Sequence, residues 1–170
     1  MNYRELVRDI PNFPQPGILF RDITPVVGNP EAFKALVNDM ASPWRNERID
    51  AVVAIEARGY ILGAPIAYQL SAAFVPVRKK GKLPWETISS SYELEYGMDT
   101  LEMHQDGVRA GQRVLIVDDL LATGGTLKAG AQLVEQLKAQ VVGMSVFIEL
   151  AGLKGRAKLP GRTIHALVTY

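Results

Sequence analysis

A chain of 170 residues with 48% hydrophobic content suits one compact domain, residues 1–170, with its own core. With no cysteine, disulfides, cysteine-ligated metals and a thiol nucleophile are excluded; two histidines argue against a histidine-rich metal site, and a net charge of +1 offers no field for nucleic acid or an anionic membrane. No apolar run approaches the ~18 residues of a membrane span and residues 1–5 do not read as a signal peptide, so a cytoplasmic protein without nucleic-acid or membrane partners is expected.

The first 28 residues stand outside any regular pattern. Pro11, Pro14, Pro16 and Gly17 precede the short apolar piece Ile18–Arg21, and the segment is predicted to form an N-terminal cap. Asn29, Pro30 and Glu31 then read as an N-cap, a proline in the first turn and an acidic start, with Phe33, Leu36, Val37 and Met40 as an apolar face. Ala51–Ile55 and Val114–Val117 are apolar runs without alternation, which predicts strands covered on both faces. Phe74–Val77 and Val141–Ile148 are further strands, and Pro76 places the former at an edge or a strand end. Tyr60–Leu70 and Thr126–Leu137 have helical spacing. Strands alternating with such helices predict βαβ units, an α/β fold of three layers with a mostly parallel sheet. Residues 79–103 break the pattern, being polar with short alternating pieces. A segment this long is either disordered or functional, and it is read as a mobile β-ribbon lid.

The chemistry concentrates in VLIVDDLLATGGT, residues 114–126. A strand ends on Asp118 and Asp119, a loop of small residues follows, and a helix begins. Ligands of open α/β sheets bind at the carboxyl ends of strands. Ala122, Thr123, Gly124, Gly125 and Thr126 leave backbone N–H groups accessible at a helix N-terminus, which suits a phosphate dianion, and both threonines add hydroxyls. Carboxylates beside a phosphate would repel its oxygens, so they point instead to hydroxyl groups such as a ribose diol, or to magnesium. A P-loop or dinucleotide-binding glycine pattern is absent.

The full string closely resembles the phosphoribosyl-pyrophosphate motif of the type I phosphoribosyltransferases. The resemblance extends to the adenine phosphoribosyltransferase family through FPQPGILFRDITP (13–25), EARGY (56–60), RKKGKLP (78–84), SYELEYG (91–97) and LKGR (153–156). It implies a purine-salvage reaction in which adenine and 5-phosphoribosyl 1-pyrophosphate give AMP and pyrophosphate, with Mg2+ held mainly through substrate and Asp118 as the side chain that could touch it. It also implies a homodimer, with Arg78 or its neighbours reaching the partner's site. The ribose-phosphate site falls to Asp118, Asp119 and residues 122–126, and the pyrophosphate site to Ala57, Arg58, Arg78, Lys79 and Lys82. Taken alone, the basic run 78–82 reads as a solvated face. Leu19, Phe20 and Arg21 are implied as the base pocket, although by composition they are an ordinary short strand. Arg58 is implied as a catalytic residue, and Glu95 as the acceptor of the imidazole proton, with Tyr96 beside it in the lid. Strand alternation puts Glu93 and Glu95 on one face and does not choose between them. No nucleophilic side chain is required for glycosyl transfer through an oxocarbenium-like transition state.

Overall fold

A computed structural model describes residues 1–94 and 97–170. The chain divides into two compact units, Met1–Asp39 and Met40–Tyr170. In the first, helix α1 (Tyr3–Leu6) leads to strands β1 (Arg8–Pro11) and β2 (Leu19–Asp22), which pair antiparallel from Arg8↔Asp22 to Pro11↔Leu19. Gly17 donates its N–H to Asn12 Oδ1 at 2.9 Å within the connecting loop, and the rings of Phe13 and Phe20 meet edge-on with centroids 5.2 Å apart. A short helix α2 (Thr24–Val27) follows, its first amide bonded to Asp22 Oδ1 at 2.9 Å.

Helix α3 (Pro30–Ala41) starts where the sequence predicts. Asn29 Oδ1 accepts the amides of Glu31 and Ala32, both at 3.0 Å, and Pro30 sits at a position that needs no donor. Leu36, Val37 and Met40 are buried along its apolar face.

The second unit is built on a sheet of β3 (Ala51–Ile55), β4 (Ala73–Lys79), β5 (Thr87–Leu94), β6 (Gly97–His104), β7 (Arg113–Leu121), β8 (Gln140–Glu149) and β9 (Ile164–Thr169). The strand order is β5-β6-β4-β3-β7-β8-β9. The neighbours from β4 through β9 run parallel, whereas β6 joins β4 and β5 antiparallel. Helix α4 (Arg58–Gln69) connects β3 to β4, and α5 (Gly125–Gln136) connects β7 to β8.

Two glycines show where the helices lie. A methyl on Gly63 of α4 would fall 2.5 Å from Ala54 Cβ, and one on Gly130 of α5 would meet Ile55 Cδ1 at 3.5 Å. Consecutive strand residues point to opposite faces, so α4 and α5 cover opposite sides of the sheet. This is the three-layer arrangement with a mostly parallel sheet that the sequence predicts. Burial of all five residues of β3 explains its unbroken apolar run.

Three details differ from the sequence reading. Strand β4 is internal to the sheet rather than an edge, yet β6 pairs with it only at Arg78 and Lys79, so Pro76 interrupts no ladder on that side. Strand β7 runs past Val117 and carries both acids inside it, with Asp118 opposite Val146 of β8. The strand β9, partnered with β8 from Met144↔Ile164 to Glu149↔Thr169, lies beyond the strands read from sequence.

Residues 87–94 and 97–104 form the ribbon of β5 and β6, laddered from Thr87↔His104 to Leu94↔Gly97. At its base the Trp85 ring meets His104 edge-on at 6.1 Å, and Trp85 remains 54% exposed. By contrast Trp44 is buried over Gly143, where any Cβ would lie 2.0 Å from the indole.

Candidate active site

Strands β3 and β7 are parallel neighbours, so their carboxyl ends emerge side by side. The segment after β3 supplies Glu56, Ala57 and Arg58, and the end of β7 supplies Asp118 and Asp119. Between them opens a cavity of about 360 Å3, closed on its other sides by Lys79, Tyr92 and residues 120–124 and 126. This is the strand-end position expected of a ligand site in an open α/β sheet.

The loop 122–125 is shaped by Gly124, whose φ of 80° lies in the left-handed region. A Cβ there would also strike the Gly155 carbonyl oxygen at 2.3 Å. Reciprocally, a Cβ on Gly155 would lie 2.3 Å from the Ala122 carbonyl oxygen. The two backbones are thus in direct contact, and the turn after Lys154 forms a wall behind the loop. That turn is anchored by Arg156, which donates to both Glu149 carboxylate oxygens at 2.8 and 2.7 Å. Such a two-pronged pair fixes orientation as well as position. Gly124, Thr126 and Leu127 at the start of α5 line the cavity, and a helix N-terminus has the polarity an anionic phosphate requires.

Asp118 and Asp119 are both buried, and Asp118 Oδ1 accepts the Asp119 amide at 2.9 Å. Burial pushes the Asp118 carboxyl well above the usual carboxylate range, and the neighbouring charge of Asp119 adds to the effect. Asp119 Oδ2 accepts from Arg58 Nε. The close approach is permitted by Gly59, where a Cβ would be 2.9 Å from Asp118 Oδ1. The first turn of α4 therefore abuts the end of β7 and carries Arg58 to the acids.

On the opposite rim, Glu56 organises the basic residues. Its carboxylate accepts the Lys79 amide at 2.7 Å and Arg78 Nε at 2.8 Å. Burial pushes the Glu56 carboxyl up, but these two donors outweigh it and hold the group below its ordinary value. Arg78 also donates to the Lys82 carbonyl at 3.0 Å. The Lys79 ammonium lies 3.0 Å from Asp99 Oδ2 of the ribbon, and the Tyr92 hydroxyl donates to the same oxygen at 3.3 Å.

Of the residues singled out from sequence, Ala57, Arg58, Lys79, Asp118, Asp119, Ala122, Thr123, Gly124 and Thr126 line the cavity. Arg78 and Lys82 stand behind its rim, and Gly125 packs against Tyr92, with a Cβ there 3.0 Å from Tyr92 Cδ2. Leu19, Phe20 and Arg21 form β2 in the first unit, where Arg21 pairs with Asp9. Glu95 and Tyr96 lie outside the described residues. Sequence reasoning missed the organising role of Glu56, the ribbon residues Tyr92 and Asp99, and the Gly155 wall. Glu56, Tyr92 and Gly155 left a signal, since each stands in a motif block, the first two beside residues to which the chemistry was assigned; Asp99 left none.

The phosphoribosyl transferase domain family matches residues 27–162, and the chain belongs to that family. It is 56% identical to the adenine phosphoribosyltransferase of Acaryochloris marina over 170 residues, covering all of both chains. With the corresponding protein of Carboxydothermus hydrogenoformans it shares 54% over 170 residues, again covering both chains fully. Among solved structures, adenine phosphoribosyltransferase from Thermoanaerobacter pseudethanolicus superposes with a TM-score of 0.96 at 51% identity, covering 98% of this chain and 97% of that one. The enzyme from Saccharomyces cerevisiae, solved with an imino-altritol bisphosphate and adenine, gives 0.91 at 40% identity, with 96% and 95% coverage. Within its family, the chain's place is with the adenine phosphoribosyltransferases.

Proposed function

We propose that this chain is a purine-salvage glycosyltransferase that makes AMP and pyrophosphate from adenine and 5-phosphoribosyl 1-pyrophosphate. The observation that carries the reading is the single cavity framed by the 114–126 strand, acid pair, glycine loop and helix. Its chemistry divides along its length. The amides and hydroxyls of residues 122–126 hold the 5-phosphate. Asp118 and Asp119 face the ribose diol, and Arg58 with Lys79, backed by Arg78 and Lys82, takes the pyrophosphate. The Saccharomyces cerevisiae relative, seen with a bisphosphorylated iminosugar and adenine together, supports a site built for base and sugar at once.

In the reaction the adenine N9 lone pair forms the bond to C1′ as the C1′–oxygen bond breaks and its electrons leave with pyrophosphate. Positive charge develops on the ribose ring, and the two aspartates are placed to offset it. The imidazole proton of adenine passes to a carboxylate as the bond forms, and we assign that acceptor to Glu95, with Tyr96 beside it and Phe20 stacked on the base between Leu19 and Arg21. Holding base and sugar in line lowers the barrier without a nucleophilic side chain. Residues 79–103 act as a mobile lid that excludes water, and residues 1–28 as the N-terminal cap.

Mg2+ fits this donor set. Magnesium prefers one or two carboxylates plus substrate phosphates to an all-protein cage, and the cavity offers Asp118 and Asp119 as hard oxygens. When bound, the ion neutralises charge on the departing pyrophosphate. A homodimer belongs to the same proposal, supported by the exposed apolar side chains Ile61 and Tyr68 on α4 and Phe74 on β4. So does a cytoplasmic location, because the charged substrate and product are retained where they are made. No helix among the described residues is long and apolar enough to cross a membrane.

The test is product formation from phosphoribosyl pyrophosphate and magnesium with adenine, guanine, hypoxanthine or xanthine supplied in turn. AMP from adenine alone is the expected result. Turnover of another base would overturn the base assignment, while binding of the sugar substrate without any turnover would turn the reading to a regulator.

A further inference from the structure

The loop assigned to the 5-phosphate is supported from outside the cavity. Gly155 lies so close behind it that a Cβ there would be 2.3 Å from the Ala122 carbonyl oxygen, 2.8 Å from Leu121 Cδ1 and 3.0 Å from the Gly124 amide nitrogen. No side chain stands between the two backbones, so a shift of the turn around Gly155 is passed directly to the loop.

That turn carries a conformational cost of its own. Lys154 has a φ of 53°, in the left-handed region that disfavours a side chain, and contacts elsewhere must offset it. Arg156 supplies such a contact. Its Nε and Nη2 donate to Glu149 Oε1 and Oε2 at 2.8 and 2.7 Å, a geometry that fixes direction as well as distance. Glu149 is buried, is the last residue of β8, and stands in register with Leu121 at the end of β7 and with Thr169 of β9. The turn is thereby tied to the sheet at the level of the loop it supports. None of Glu149, Gly155 and Arg156 is among the described residues that line the cavity, so their effect on a ligand there must pass through the loop.

We propose that Glu149 and Arg156 are positioning residues for the sugar phosphate, a brace that acts through Gly155 to hold residues 122–124 where their amides meet the 5-phosphate. The proposal rests on the assignment of that loop given above. Two consequences separate it from the effect of charge and from general support of the fold. A brace on one loop should affect ribose 5-phosphate and spare pyrophosphate, which is assigned to Arg58 and Lys79. By charge alone, moreover, removing the Glu149 carboxylate should favour an anion nearby, whereas removing the brace should disfavour it.

Calorimetric titration of the full chain with ribose 5-phosphate and, separately, with pyrophosphate tests both consequences. Glu149→Gln breaks the two-pronged match and leaves one oxygen, and Arg156→Lys keeps the charge without the fork. Both variants should bind ribose 5-phosphate about tenfold or more weakly, the size of one charged hydrogen bond, with pyrophosphate affinity within about twofold of the unsubstituted chain. Tighter or unchanged ribose 5-phosphate binding in Glu149→Gln would overturn the brace, and so would unchanged binding in Arg156→Lys. Equal weakening of both ligands would overturn it as well, because a general loosening of the fold does the same. Amide hydrogen exchange supplies a readout that needs no ligand. Both variants should exchange faster over residues 120–127 and at the unsubstituted rate over Ala51–Ile55, and equal rates at the loop would end the proposal. Should either ligand fail to bind the unsubstituted chain, the assignment of its site fails on its own, while the exchange rates still decide whether the pair braces the loop.

Discussion

Placing a methyl group on Gly124 is expected to lower kcat/KM for the sugar substrate by roughly 100-fold or more, with the fold retained. Two independent costs converge at this residue. Its φ of 80° puts an L side chain in the left-handed region, which costs about 1–2 kcal/mol. The added Cβ would also sit 2.3 Å from the Gly155 carbonyl oxygen and 3.1 Å from its carbonyl carbon, which are backbone atoms that cannot rotate away. The loop must move as a whole, and its amides lose their aim at the phosphate. A displacement of about 1 Å in a site that works by positioning is enough for a loss of this size. Gly152→Ala is the matched control, since its added methyl would have nothing within 4 Å. Steady-state kinetics with circular dichroism on both variants checks the expectation. Near-normal turnover by Gly124→Ala would show that the loop amides do not hold the substrate.

Asp118→Asn is expected to trade activity for stability. The Asp118 carboxyl is pushed up by burial first and by the Asp119 charge second. A carboxyl whose folded value is raised binds its proton more tightly in the folded than in the unfolded chain. Its favourable contribution is therefore complete below the unfolded value of about 4 and is lost as pH rises through the raised folded value. At pH 8 the buried charge is a net cost, and asparagine removes it while keeping an oxygen to accept the Asp119 amide. Each kcal/mol recovered would raise Tm by about 2–4 °C in a chain of this size. A charge-assisted hydrogen bond to a sugar hydroxyl is worth about 1.5–3 kcal/mol, so kcat/KM should fall roughly 10- to 150-fold. Thermal melts at pH 5 and pH 8 separate the two effects. The gain in Tm should be confined to the higher pH, and a drop there would mean that Arg58 and the helix ends more than repay the burial of this charge.

How much of this was legible beforehand follows from which interactions leave a local trace. Strands β3 and β7 declared themselves because burial on both faces demands an uninterrupted apolar run, and α3 because its capping needs are met by three adjacent residues. Asp118 and Asp119 were legible as site acids but not as strand residues. What keeps them extended is the β8 strand alongside, which is set by a partner far along the chain. The Arg58–Asp119 pair spans 61 positions, and the packing of Tyr92 on Gly125 likewise joins residues far apart in the chain. No periodicity encodes such meetings. Gly155 illustrates a third kind of silence. Its role is the lack of a side chain, and its reason lies across the fold in Ala122 and Gly124. Base recognition left least, since Leu19–Arg21 form a strand whatever their further purpose.

The two tryptophans make the molecule its own optical instrument. Trp44, sealed over Gly143, emits from an apolar surrounding and lies beyond the reach of a dissolved quencher. Trp85, half in solvent at the foot of the ribbon and edge-on to His104, emits toward the red and meets that quencher freely. Iodide thus silences one indole and leaves the other as an internal reference. Trp85 is, for the experimenter, a native label at the foot of the only long antiparallel hairpin among the described residues.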